Sequence, residues 1–136
     1  MTDFRFVHAV PVRFRDIDEM GDAHHTLPLV YIEEARTTYW REVLGRAELD
    51  FIMGEVGVRF YRRIRYPSTV QVGVRTTRLG RSSLEMAYEL LDDRGELLAD
   101  GWSKLVMYDY AASASKPVPD ELRVRVRAWE RVAPEE

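Results

Sequence analysis

Along this chain the spacing of apolar positions switches from two to between three and four, and then back to two. From Phe4 to Phe14 the pattern reads as a strand, with Pro11 inside it, which suits a bend or a sheet edge. Leu29, Ile32, Ala35 or Arg36, Tyr39 and Val43 then recur at helical spacing and predict one long helix from about Thr26 to Leu44. Thr26 suits the N-cap, Pro28 is tolerated in the first turn, and Gly45 suits the stop.

Alternation returns afterwards. Val56, Val58 and Phe60 alternate with Gly57, Arg59 and Tyr61; Val70, Val72 and Val74 do likewise, as do Leu84, Met86, Tyr88 and Leu90. Asp92-Asp93-Arg94-Gly95 is a hairpin turn signal, and Leu97 to Tyr110 reads as the returning strand. Pro117 to Pro119 closes this region, and an Arg-rich helix follows from about Asp120 to Glu130. Strands joined by short turns make an antiparallel sheet, and one buried helix covers one face of it. The expected class is α+β, in a single domain spanning residues 1–136.

Composition narrows the function. The chain has 20 Lys and Arg against 23 Asp and Glu, a net charge of −3, which argues against a dedicated nucleic-acid binder. Arg62, Arg63 and Arg65 interleave with Tyr61 and Tyr66, and in this acidic chain they read as a solvated strand face. The absence of cysteine removes disulfides, thiolate metal sites and a Cys nucleophile. No apolar run has the length of a membrane span, and Met1 to Arg15 lacks a signal-peptide pattern, so a cytoplasmic location without membrane association is expected.

Chemistry concentrates between the first strand and the long helix. Arg15 to His25 holds Asp16, Asp18, Glu19, Asp22, His24 and His25 around Gly21. A helix start offers unpaired N–H groups and a positive dipole end, which stabilise a developing oxyanion, and a nearby carboxylate serves as general base for water. The same residues also fit a capped and solvated loop. Their spacing matches no familiar metal-ligand pattern, so no metal and no cofactor are expected. A Gly-x-Ser-x-Gly elbow and the Rossmann and P-loop glycine patterns are absent.

The run Asp16-x-Asp18-x-x-Gly21, then His25, then Glu33-x-Ala35-Arg36, resembles the 4-hydroxybenzoyl-CoA thioesterase family of hotdog-fold proteins. It also looks similar to acyl-CoA thioesterases associated with the Tol–Pal region and with long-chain acyl-CoA cleavage. The likeness continues through Gly80-Arg81-Ser82-Ser83, Ala99-x-Gly101 and Lys116-Pro117-Val118-Pro119, in the family's order. Two departures stand out. Many relatives read Gly-His-Val-Asn-Asn where this chain has Gly21-Asp22-Ala23-His24-His25, and Pro28 replaces a common aromatic residue.

The resemblance implies a five-stranded antiparallel sheet wrapped around one long helix, with a short C-terminal helix. It also implies a homo-oligomer, dimer or tetramer, with active sites at subunit interfaces. The implied activity is hydrolysis of an acyl-CoA to free acid and CoA. Asp18 would activate water, and the helix start near His25 would polarise the carbonyl through its backbone N–H. Asp16 is expected to hold the loop, and Glu33 either to orient water or to pair with Arg36 or cap a loop. Arg81, Ser82 and Ser83 resemble positions that contact CoA, whose phosphates suit guanidinium and hydroxyl groups. His24 is expected to be a loop residue and His8, in an apolar strand, to be structural. Two alternatives stay open: a hotdog dehydratase or hydratase, and an acyl-CoA-binding protein without catalysis.

Overall fold

The computed structural model describes residues 3–136. The strands are β1 (Phe6–Pro11), β2 (Phe51–Phe60), β3 (Thr69–Leu79), β4 (Ser83–Leu91), β5 (Leu97–Asp109) and the two-residue β6 (Ala114–Ser115). The helices are α1 (Leu27–Thr38) and α2 (Asp120–Trp129). The strand order is β1-β3-β4-β5-β2, antiparallel at every pair, with β6 beside the end of β5. This is the hotdog arrangement of a sheet around a helix.

α1 lies on the face formed by alternate residues of the central strands. Its Tyr31, Ile32 and Ala35 pack into a buried cluster with Val70, Val72 and Val74 of β3, and with Leu84, Met86 and Leu90 of β4. Each aliphatic side chain removed from water here stabilises the fold by roughly 1.5–3 kcal/mol. At Gly101 a Cβ would lie 2.9 Å from the Gly57 carbonyl and 3.3 Å from Ile32 Cδ1, so glycine lets α1 settle onto β5.

Three elements differ from the pattern. The helix is α-helical only to Thr38, and Tyr39–Val43 form a π-turn in which Leu44 N–H reaches the Tyr39 carbonyl at 3.1 Å. Tyr39, Trp40 and Val43 are all buried, and the wider turn carries two adjacent bulky rings inward. β2 begins at Phe51, five residues before the alternation becomes visible, because a register shift between Met53 and Glu55 interrupts it. Arg62, Arg63 and Arg65 lie beyond β2 in the loop to β3, and so are not a strand face.

β2 is an exposed edge of the sheet. None of its ten residues is buried, and Ile52, Met53, Val56 and Phe60 are exposed. Among the described residues no helix is long and apolar enough to cross a membrane.

Candidate active site

The segment from Arg13 to Thr26 is held by its own polar groups. A short 3-10 turn, Phe14–Asp16, buries Asp16, whose Oδ2 accepts the Arg13 N–H at 3.0 Å and the Tyr31 hydroxyl at 2.8 Å. Burial, reinforced by the neighbouring Asp16 oxygen, raises the Tyr31 phenol above its ordinary pKa and keeps it a donor. The Asp16 carbonyl accepts His24 N–H at 2.9 Å, and Ala23 N–H reaches the Ile64 carbonyl at 2.7 Å. Asp16 thus ties the loop to the helix, in the position expected for a loop-holding residue.

Asp18 sits at the tip of this loop with its side chain exposed. Its Oδ1 accepts the N–H groups of Met20 at 2.9 Å and Asp22 at 3.3 Å, while Asp18 N–H donates to the Asp22 carbonyl at 2.7 Å. Gly21, at φ +80°, makes the reversal possible. The two bonds aim the carboxylate, and Oδ2 has no hydrogen bond among the described residues. The Asp22 oxygens accept Arg63 Nε at 2.9 and 3.0 Å.

The start of α1 faces the same space. The Thr26 side chain does not cap the helix; its hydroxyl bonds His24 Nδ1 at 2.9 Å, and the same nitrogen accepts the Thr26 N–H at 3.3 Å. The first turn carries no acidic residue, so the positive dipole end stays uncompensated. The His25 N–H has no acceptor among the described residues, and the imidazole lies against that of His24, with ring centroids 4.1 Å apart.

Asp18 and His25 meet in an open cleft of about 200 Å³, with Asp22, Ala23, Pro28, Phe60, Arg62, Arg63 and Ile64 as its other walls. A roomier depression of about 380 Å³ lies between Leu44 and α2, with the Arg46–Glu121 pair at its rim. The cleft at Asp18 brings a carboxylate and the start of α1 together. Among the described residues no three His, Asp or Glu side chains converge as a metal site.

The remaining candidates lie elsewhere. Glu33 is exposed, two turns along α1, outside the cleft; the carboxylate that pairs with His8 (3.3 Å) and Arg13 (3.8 Å) is that of Glu34. Arg81 and Ser82 lie in the β3–β4 turn and Ser83 opens β4; the Ser82 carbonyl accepts Met107 N–H at 2.8 Å. Met107 is paired with Phe51, whereas the Asp18 cleft adjoins Phe60, so the length of β2, about 30 Å, separates the two groups within one chain. Phe60, Arg62 and Arg63 are cleft residues that no local motif marks. The alternation of Phe60 with its neighbours placed it on a sheet face, but its approach to Asp18 depends on tertiary packing.

Fold and site together define the class, a hotdog protein with an acid and an open helix start in one cleft. Residues 12–126 match the model of the Thioesterase-like superfamily, and the chain belongs to that family. It is similar to a thioesterase from Thermus thermophilus crystallised with coenzyme A and zinc, at 34% identity and a TM-score of 0.86 over 94% of this chain and 96% of that one. The DHNA-CoA thioesterase of Staphylococcus aureus shares the fold at 23% identity, with a TM-score of 0.78 and 90% of each chain covered. The protein YsmA of Bacillus subtilis (strain 168) is 29% identical over 90 residues, 64% of this chain, and the match spans 61% of YsmA's own length.

Proposed function

We propose that the protein hydrolyses acyl-CoA thioesters to free acid and CoA. The observation that carries this reading is the cleft itself, in which the aimed Asp18 carboxylate shares one space with an uncapped helix start. Asp18 takes a proton from water as the water oxygen bonds to the thioester carbonyl carbon. The resulting oxyanion lies at the His25 N–H and the helix dipole. Collapse of the intermediate breaks the C–S bond, and the CoA thiolate receives the proton. The family membership and the Thermus thermophilus relative bound to coenzyme A support the substrate class. Incubation with short, long and aromatic acyl-CoAs, with free thiol as the readout, tests the reading.

The working unit in this proposal is a homodimer joined through β2. An apolar edge strand with free N–H and C=O groups invites a second strand, and a two-fold axis beside β2 pairs it antiparallel with its copy. The partner's Phe51 end then lies beside Phe60, which brings the partner's β3–β4 turn to the end of the sheet that carries Asp18. Exposed Leu29 and Val30 of α1 gain cover in the same contact. Sedimentation at assay concentration is expected to show a dimer or a tetramer, with turnover lost on dissociation. A fully active monomer would contradict this arrangement.

Arg81 then serves a CoA phosphate across the interface. Arg81→Ala is expected to raise KM for acyl-CoA about tenfold with little change in kcat, and to matter far less for an acyl-pantetheine lacking the nucleotide. Equal effects on both substrates would assign Arg81 to the fold.

A further inference from the structure

Arg36 belongs to the motif on α1, yet nothing in the hydrolytic cleft uses it. Its residue is 7% exposed. Nη1 makes one long hydrogen bond, to the Tyr88 hydroxyl at 3.5 Å, and Nε is buried without an acceptor. It has no ion pair among the described residues, and Glu33, one turn earlier on α1, points to solvent. A guanidinium carries its charge at any physiological pH, and withdrawing it from water is unfavourable unless an anion or a full set of acceptors replaces that water. Among the described residues Arg36 has no anion and no acceptor beyond the Tyr88 hydroxyl.

The surroundings indicate where such an anion would come from. Phe60, Val58, Val56, Met53 and Phe51 of β2 stand opposite Ala99, Gly101, Ser103, Leu105 and Met107 of β5, all buried under α1, so this row of β2 lies on the helix side of the sheet. Phe60, Val56 and Met53 remain exposed. Phe60 also walls the Asp18 cleft, and the Phe51 ring centroid is 6.0 Å from Arg36 Cζ. Apolar side chains of β2 therefore line the helix side of the sheet between the cleft and Arg36, with the Phe51 ring beside the guanidinium. Along α1 the distance from Leu27 to Arg36 is about 14 Å, and the side chain leans back toward the helix start. This span fits a medium-length acyl chain whose carbonyl lies at the helix start.

We infer that Arg36 binds a carboxylate at the far end of the acyl group, making CoA monothioesters of medium-chain dicarboxylic acids the preferred substrates. The inference rests on the hydrolase reading and adds the substrate class to it. A carboxylate fits because it accepts two parallel guanidinium bonds and supplies the missing charge. The competing source of that anion is a carboxylate of a second copy seated on β2.

The test compares kcat/KM for suberyl-CoA and octanoyl-CoA, matched in chain length, in the native protein, Arg36→Lys and Arg36→Met. The native protein is expected to favour suberyl-CoA at least tenfold, mostly through KM, about the effect of one charged hydrogen-bonded contact. The ratio should fall in Arg36→Lys and approach or drop below one in Arg36→Met. An arginine that only supports the fold would move both substrates together and leave the ratio unchanged. Hydrolysis of octanoyl-CoA by the native protein with no preference for suberyl-CoA would overturn the inference while the hydrolase reading stands; neutralisation of Arg36 by a partner carboxylate gives this same result. If no acyl-CoA is hydrolysed, both readings fall. The native comparison decides by itself if Arg36→Met does not fold.

Discussion

Asp18→Asn is expected to lower kcat for acyl-CoA hydrolysis by about 100-fold or more, the range of a lost general base. The substitution keeps the shape of the side chain, and its amide oxygen still accepts the Met20 and Asp22 N–H groups that Oδ1 accepts now. The loop should therefore hold its form, and KM should change little. The measurement is steady-state hydrolysis with circular dichroism as the control for folding. Near-native turnover by a folded Asp18→Asn protein would remove Asp18 from the mechanism.

His25 separates backbone from side chain. With the N–H as the working group, His25→Ala is expected to retain most of the activity, whereas His25→Pro should lose about 100-fold to 1000-fold, the usual cost of removing an oxyanion donor. The proposal assigns the backbone because the His25 N–H has no acceptor among the described residues and lies at the start of α1. Folding of the Pro variant is verified by its thermal transition before rates are compared. A large loss in His25→Ala would make the imidazole a participant.

How far the sequence could be read depends on the range of the interaction behind each feature. The helix, the β4–β5 hairpin and the strand alternation rest on local spacing, and the structure has them. The π-turn at Tyr39–Val43 does not show in a pattern, since placing two adjacent rings in the core alters the helix without altering its apolar positions. The first half of β2 is hidden by the shift between Met53 and Glu55, and because both faces of this edge carry apolar groups.

At the site, Asp18 and His25 are close in sequence and were legible as one loop. Phe60 and Arg63 approach that loop through tertiary packing alone, and the Arg63 contact with Asp22 spans 41 residues. Arg81, Ser82 and Ser83 are legible as a segment, but within one chain they lie far from Asp18, and only the proposed dimer would bring the two groups together. Arg36 was visible as part of a motif. That its charge is buried without a counterion depends on the packing of Phe51 and Tyr88 around it.

The most direct test of the central claim is free-thiol release by the native protein and by Asp18→Asn, side by side, across short, long, aromatic and ω-carboxylated acyl-CoAs. The account predicts that the native protein releases one thiol and one carboxylic acid per thioester consumed for at least one of these substrates. It also predicts that Asp18→Asn, folded to the same extent, releases thiol at no more than about a hundredth of that rate. Acyl-CoA that binds but is never cleaved above the uncatalysed rate, or equal release by the two proteins, would contradict it.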